Sequence, residues 1–273
     1  MPLTVTRQRA FPMTMQAALH EISVTSDGPV AIVTLKRPHK RNAISDGLVL
    51  AIEHAFLHLP EGTRAVVITG EGDHFCAGLD LSEIMERGSV EGLHHSRMWH
   101  RIFDMIEKGT VPVVAAIHGA CVGGGMELAG SCHIRVVDET GFFAFPEGTR
   151  GIFVGGGASV RAPKLIGVHR MLDMMLTGRV YKAAEAVPVG FAQYLVPAGQ
   201  ALAKAMELAQ RIATNAPMTN YALLQALPRI AEQTADHGLF TESLIAAIVE
   251  TAPEAQARVR DFLEGRGAKV KAS

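Results

Sequence analysis

The run HGACVGGGMELAG, residues 118–130, sets Glu127 directly behind Gly123, Gly124 and Gly125 in an otherwise small and apolar neighbourhood. In the first turn of an exposed helix such an acid contributes about 0.3–1 kcal/mol through the helix dipole. Met126, Leu128 and Ala129 mark a buried face instead, where a carboxylate costs on the order of several kcal/mol unless it is paired or used. A second segment, FCAGLDL at 75–81, also places a glycine where a strand hands over to a helix. Glycine lets backbone N–H groups approach a ligand closely, and donors at a helix N-terminus suit a developing negative charge. Tight turns and close helix packing are the other uses of such glycines. A second acid, Glu147, follows in FFAFPEGTRG, where alone it reads as a turn residue. Two donor-bearing segments and two acids make acid–base work beside an anion the chemistry to look for.

Other chemistries lack their parts. Leu128 stands three residues beyond Gly125, and Val160 three beyond Gly157, so neither glycine run completes GxGxxG. GxxxxGK[ST] and GxSxG are absent as well, which removes a P-loop and a nucleophile elbow. His54 and His58 have zinc spacing on an expected helix, but no motif supplies a third ligand, and His94, His95 and His100 read as solvated histidines for the same reason. The methionines, among them Met98, Met105, Met126, Met171, Met174 and Met175, read as adaptable core packing, or as the lining of a pliable acyl pocket.

The elements that position these groups alternate. HEISV and VAIVTL flank the turn SDG as a hairpin, and LVLAIEHAFLHL has the three-and-four periodicity of an amphipathic helix. RAVVITG and VPVVAAIHG read as short, buried strands; DHFCAGLDLSEI is a loop running into a helix; residues 93–107 are helical; IRVVDE is one more strand. This order is an α/β layer arrangement with right-handed crossovers. Past about residue 200 only helical periodicity remains, through ALAKAMELAQRIATNAP, NYALLQALPRIAEQ, FTESLIAAIVET and PEAQARVRDFLEGR. We therefore expect a leader over 1–17, an α/β core over 18–200 and a helical region over 201–273. The leader is basic through Arg7 and Arg9 with no acid, weakly like a transit peptide; disorder, or a start at Met13 or Met15, accounts for it as well.

At 273 residues, 48% hydrophobic, the chain is long enough for one large core. A formal charge of −1 with no basic stripe speaks against nucleic acid and anionic membranes as partners. Three cysteines, Cys76, Cys121 and Cys132, without CxxC spacing argue for a reducing compartment, and a cytoplasmic location is expected. The most apolar stretch, 111–129, is interrupted by Pro112, His118, four glycines and Glu127, so no membrane span is expected.

TLKRPHKRNAIS, FCAGLDLSEI, VPVVAAIHGACVGGGMELAGSC, FAFPEGTRGIFVGGGAS and MLTGRVYKAAEAVPVGFAQYLV, in this order over residues 20–265, resemble the enoyl-CoA hydratase/isomerase (crotonase) superfamily. The resemblance implies repeated ββα units with a helical C-terminal part that builds a homotrimer or a dimer of trimers. It implies acyl-CoA thioesters as substrates, coenzyme A entering only as part of the substrate, with no metal or separate cofactor. The thioester oxygen would be held by the N–H groups of Leu79 and Gly124 as it gains enolate charge. Glu127 and Glu147 would hold one water, one accepting its proton during attack at C3 and the other supplying a proton at C2. Two close carboxylates do not both ionise cheaply, so one is expected to keep its proton and act as the acid. Ala77, Leu79, Asp80 and Gly124 would line the thioester end. Lys40 and Arg41 would meet the phosphates of coenzyme A, or form a solvated basic loop. Lys269 or Lys271 would reach a neighbouring subunit.

The expected activity is hydration of a 2-enoyl-CoA. An enoyl-CoA isomerase, a thioester hydrolase or a carbon–carbon lyase shares the same oxyanion hole. A non-catalytic CoA- or RNA-binding oligomer is the alternative of another class. Two departures from the family pattern, His133 at a position often held by aspartate and Val154 where a proline often precedes the glycines, bear on which acyl chain fits.

Overall fold

The structure, a computed structural model, describes residues 19–83 and 88–266. The expected leader, Lys269 and Lys271 lie outside the described residues. The expected hairpin is present: β1 (Ile22–Asp27) pairs antiparallel with β2 (Val30–Leu35), Ile22 opposite Leu35. Helix α1 (Asp46–Leu57) follows, its first turn capped by Ser45, whose Oγ accepts the Leu48 N–H at 3.0 Å. Next come β3 (Ala65–Gly70), α2 (Ser89–Glu107), β4 (Val113–Ile117), β5 (Ala120–Val122) and α3 (Gly124–Ser131). Then β6 (Ile134–Asp138), β7 (Phe142–Ala144), α4 (Ala158–Ile166), α5 (Val168–Thr177), β8 (Tyr181–Lys182) and β9 (Tyr194–Val196) complete the sheets.

Six strands form one sheet in the order β1-β2-β3-β4-β6-β9, parallel from β2 onward, and β5-β7-β8 form a second, smaller sheet. The ββα repetition is visible in this division. Of the pairs β4/β5 and β6/β7, the first strand enters the large sheet and the second the small one. In the unit begun by β3, the second strand shrinks to isolated bridges, Ile44 with Leu79 and Cys76 with Cys121. The helix expected straight after this segment is a single 3₁₀ turn, Leu81–Glu83, and α2 starts at Ser89, ahead of the expected 93.

Every residue of β3 and β4 is buried, because both faces of the large sheet are covered. On one face Val33, Leu35, Val66, Ile68, Ala115 and Ile117 pack with Ile52, Phe103 and Leu128 of α1, α2 and α3. On the other, Ala65, Val67, Val114, Ala116 and Val136 meet Ala201, Ala205, Leu208, Ala209 and Ala213 of α6 (Ala201–Ala213). Alanines let the helix lie close to the strands. From residue 201 to 266 the described residues form helices and turns only, and the first of these helices closes the sheet. Beyond it lie α7 (Pro217–Gln225), α8 (Ala235–Glu250) and α9 (Pro253–Leu263). Leu239, Phe240, Leu244 and Ile248 of α8 are exposed. Among the described residues, no helix is long and apolar enough to cross a membrane.

Candidate active site

A cavity of about 340 Å³ opens where β5, the start of α3 and the segment at 77–79 meet. Ala77, Leu79, Gly124, Glu127 and Glu147 all line it. Leu79 arrives through the bridge to Ile44: Ile44 N–H donates to Gly78 O at 2.7 Å and Asp80 N–H to Ile44 O at 2.9 Å. Peptide groups alternate in direction along an extended segment, so the intervening Leu79 N–H faces away from Ile44. Gly124 is the first residue of α3, and its N–H has no acceptor within the helix. A Cβ placed on Gly124 would lie only 3.3 Å from Leu79 N, so the two donors sit side by side. Two neighbouring backbone donors of this kind can cradle one oxygen that gains negative charge.

Both acids flank this cradle, each where a glycine makes room. Gly123 turns from β5 into α3 with φ 52°, a conformation that favours glycine, and a Cβ there would stand 2.6 Å from Glu147 Oε1. A Cβ on Gly156 would stand 2.7 Å from Glu127 Oε2. Glu127 is 4% exposed, and its Oε1 accepts the N–H groups of Gly156 at 2.7 Å and Ala158 at 3.1 Å. Burial pushes its carboxyl up from the ordinary range, against those two donors and the Arg161 guanidinium, which favour the anion. Glu147 is 8% exposed, and its buried Oε2 has no hydrogen-bond partner. Burial, with the nearby Glu127 charge adding to it, pushes Glu147 up to about 7. The anion therefore belongs on Glu127, whose Oε1 has two backbone donors, and the proton on Glu147, whose buried Oε2 has none.

The rest of the wall is apolar: Trp99 from α2, then Ile152, Phe153 and Val154. Trp99 fills the gap between the glycine segments, so a Cβ on Gly124 would meet its ring at 3.2 Å and one on Gly156 at 3.0 Å. Motif reading missed Trp99, although its spacing with Ile102, Phe103 and Ile106 already marked the buried face of a helix. It also passed over Ser96 and Arg161, whose contacts come from segments more than fifty residues apart.

Three of the expected ligand residues lie outside the lining. Asp80 is held by the Ser82 hydroxyl at 2.6 Å and by Arg37 Nη2 at 3.0 Å, and those partners with Lys40 keep its carboxyl below the usual range despite burial. Lys40 Nζ is 3.8 Å from the same carboxylate, and Arg41, at φ 52°, closes the turn with its carbonyl on Ala77 N–H. His133 is a brace: its Nδ1 accepts the Val113 N–H at 2.9 Å and its Nε2 meets Glu107 O at 3.1 Å, while burial lowers its pKa. Among the described residues, His, Cys, Asp and Glu side chains form no group of three or more that could hold a metal ion.

An α/β core of ββα units carrying a twin-amide cradle and two buried carboxyls defines a protein built for acid–base chemistry at a carbonyl. The sequence profile of the enoyl-CoA hydratase/isomerase family matches residues 25–271. The short-chain-enoyl-CoA hydratase of Clostridium acetobutylicum is 31% identical over 82% of this chain and 87% of its own. The crystal structure of enoyl-CoA hydratase from Bacillus anthracis superposes with a TM-score of 0.85 at 30% identity, covering 93% of this chain and all of that one. A Rhodopseudomonas palustris CGA009 protein, provisionally named an enoyl-CoA hydratase, is 56% identical with a TM-score of 0.89, covering 92% and 98%. The chain belongs to the enoyl-CoA hydratase/isomerase family, within the crotonase superfamily.

Proposed function

We propose that the protein hydrates the 2,3 double bond of a 2-enoyl-CoA thioester. The observation that carries this reading is the presence of two carboxyls of unlike environment in one cavity with paired backbone donors. The Leu79 and Gly124 N–H groups take the thioester oxygen, and their hold strengthens as the enolate forms. Glu127, kept anionic by its two N–H donors, accepts a proton from the water that attacks C3. Glu147, protonated near neutral pH, supplies the proton at C2. The cycle closes when the proton taken up by Glu127 passes through solvent to restore the one Glu147 gave; no electrons are transferred, so the step calls for no redox cofactor, and coenzyme A enters as part of the substrate. We assign Ala77, with Leu79 and Gly124, to the thioester end, where Asp80 acts by fixing the segment through Arg37.

The exposed apolar residues of α8 support a homo-oligomer, a trimer or a pair of trimers. The absence of a basic stripe supports a small-molecule rather than a nucleic-acid partner, and the three unpaired, buried cysteines support a cytoplasmic site of action. The test is the conjugated enoyl-thioester absorbance of crotonyl-CoA, a longer enoyl-CoA and cinnamoyl-CoA with purified protein. Loss of the band with 3-hydroxyacyl-CoA found by mass establishes hydration. An unchanged band, with conversion of a 3-enoyl-CoA into the conjugated isomer, establishes isomerisation instead.

A further inference from the structure

Glu127 is held through a loop of three glycines, Gly155–Gly157, the most conformationally free residues available. The Gly156 N–H that donates to Glu127 belongs to the peptide whose carbonyl is Gly155 O. That carbonyl accepts the Ser96 hydroxyl at 2.6 Å. The next carbonyl, Gly156 O, accepts Arg161 Nη1 at 3.1 Å. Both carbonyls around the donor are therefore gripped, one from α2 and the other from α4.

The grip is anchored. Arg161 is 7% exposed, its Nη2 donates to Asp104 Oδ1 at 2.5 Å and its Nε to Glu107 Oε2 at 2.7 Å. Asp104 and Glu107 share α2 with Ser96, so both jaws close on one helix. His100 Nε2 lies 3.3 Å from Ser96 Oγ, and its ring also meets the Gly155 backbone, so α2 sets a second polar group beside the carbonyl that Ser96 grips.

We propose that Ser96 and Arg161 are positioning residues that clamp the peptides on either side of Gly156, keeping its N–H aimed at Glu127. The clamp draws on the hydratase reading only for the task it gives Glu127. The charged and titratable groups around Glu127 are Arg161 from α4, Glu147 and Arg150 from the segment after β7 and, on α2, His95 in the cavity wall and His100 beside Ser96. Loosening the clamp withdraws a donor from the carboxylate, which favours its protonated form.

The experiment compares the parent protein with Ser96→Ala, Ser96→Thr, Arg161→Met and Glu127→Gln. Steady-state hydration of a 2-enoyl-CoA is followed from about pH 5.5 to 9. We expect Ser96→Ala to lower kcat about tenfold with KM within about twofold, because a misaimed base costs rate rather than binding. The acidic limb of its profile should move to higher pH, and Ser96→Thr, which keeps the hydroxyl, should restore both. The second readout needs no turnover: Trp99 is the only tryptophan of the chain and packs against Gly156. Its fluorescence should titrate with a component lost in Glu127→Gln and displaced to higher pH in Ser96→Ala. Should no 2-enoyl-CoA be hydrated by the parent protein, the hydratase reading falls, and the fluorescence midpoint still decides the clamp. The clamp is overturned if that component is absent or keeps its midpoint in Ser96→Ala, whatever the rates. If Arg161→Met fails to fold, Ser96→Ala alone decides.

Discussion

Glu147→Gln removes a group that the fold stabilises only in its protonated form. The folded protein holds that proton to about pH 7, whereas an unfolded chain releases it near 4.5. At about 1.36 kcal/mol for each tenfold change in proton affinity, the difference corresponds to about 3 kcal/mol. The sign follows from which state holds the proton. The stability is fully present below 4.5 and is lost as pH rises through about 7, because at higher pH the folded state must bury an anion whose Oε2 has no donor. Glutamine keeps the shape and never ionises. The variant should therefore match the parent near pH 5 and exceed its stability by about 3 kcal/mol at pH 8.5. Urea unfolding of both proteins, at one protein concentration and at both pH values, measures this as a difference from which titrating groups remote from the Glu127–Glu147 pair cancel. Parallel stability curves would falsify the assignment of the proton to Glu147.

The same substitution should lower hydration by about 10² or more, as should Glu127→Gln, whereas changing the Leu79 side chain should cost less because its backbone donor survives. In the parent protein kcat/KM should fall above about pH 7, as Glu147 loses the proton it must supply, and a rate still climbing at pH 8.5 would contradict that role. Gly156→Ala pushes a methyl group to within 2.7 Å of Glu127 Oε2 and should reduce kcat strongly while far-ultraviolet circular dichroism is retained. Asn42 is fully buried, accepts from Arg37 N–H at 2.9 Å and donates to Glu71 O and His74 O. Asn42→Ala should therefore lower unfolding stability by about 2 kcal/mol or more, read from denaturant curves.

Long or strongly patterned features were legible in the chain itself. The hairpin, the wholly apolar β3 and β4 and the amphipathic α1 carry enough residues for a period to show. The three-residue strands β5, β7 and β9 do not, and β5 hides inside the glycine motif that follows it. The acids at 127 and 147 could be singled out because their types are unusual among small and aromatic neighbours. Asp80 was assigned to the ligand with its neighbours at 77–79, and the fold turns its carboxylate onto Arg37 and Ser82 instead, while Lys40 and Arg41 stay exposed. Ser96 and Arg161 carry no local signature, since the Gly155 carbonyl that Ser96 meets and the α2 carboxylates that anchor Arg161 are brought to them by tertiary packing.

The two amides of the cradle come from different ββα units, Leu79 from the one begun by β3 and Gly124 from the one begun by β4, and Glu147 comes from the unit after that. No unit owns a working site. During refolding, activity can return only when three successive units have docked, so the regain of turnover is a clock for the slowest of those joints. Native circular dichroism is free to appear earlier, as each helix and hairpin closes over short sequence distances. The same arrangement makes catalysis more sensitive than secondary structure to mild denaturant, because separating any two neighbouring units dismantles the cradle while leaving each unit's helix intact.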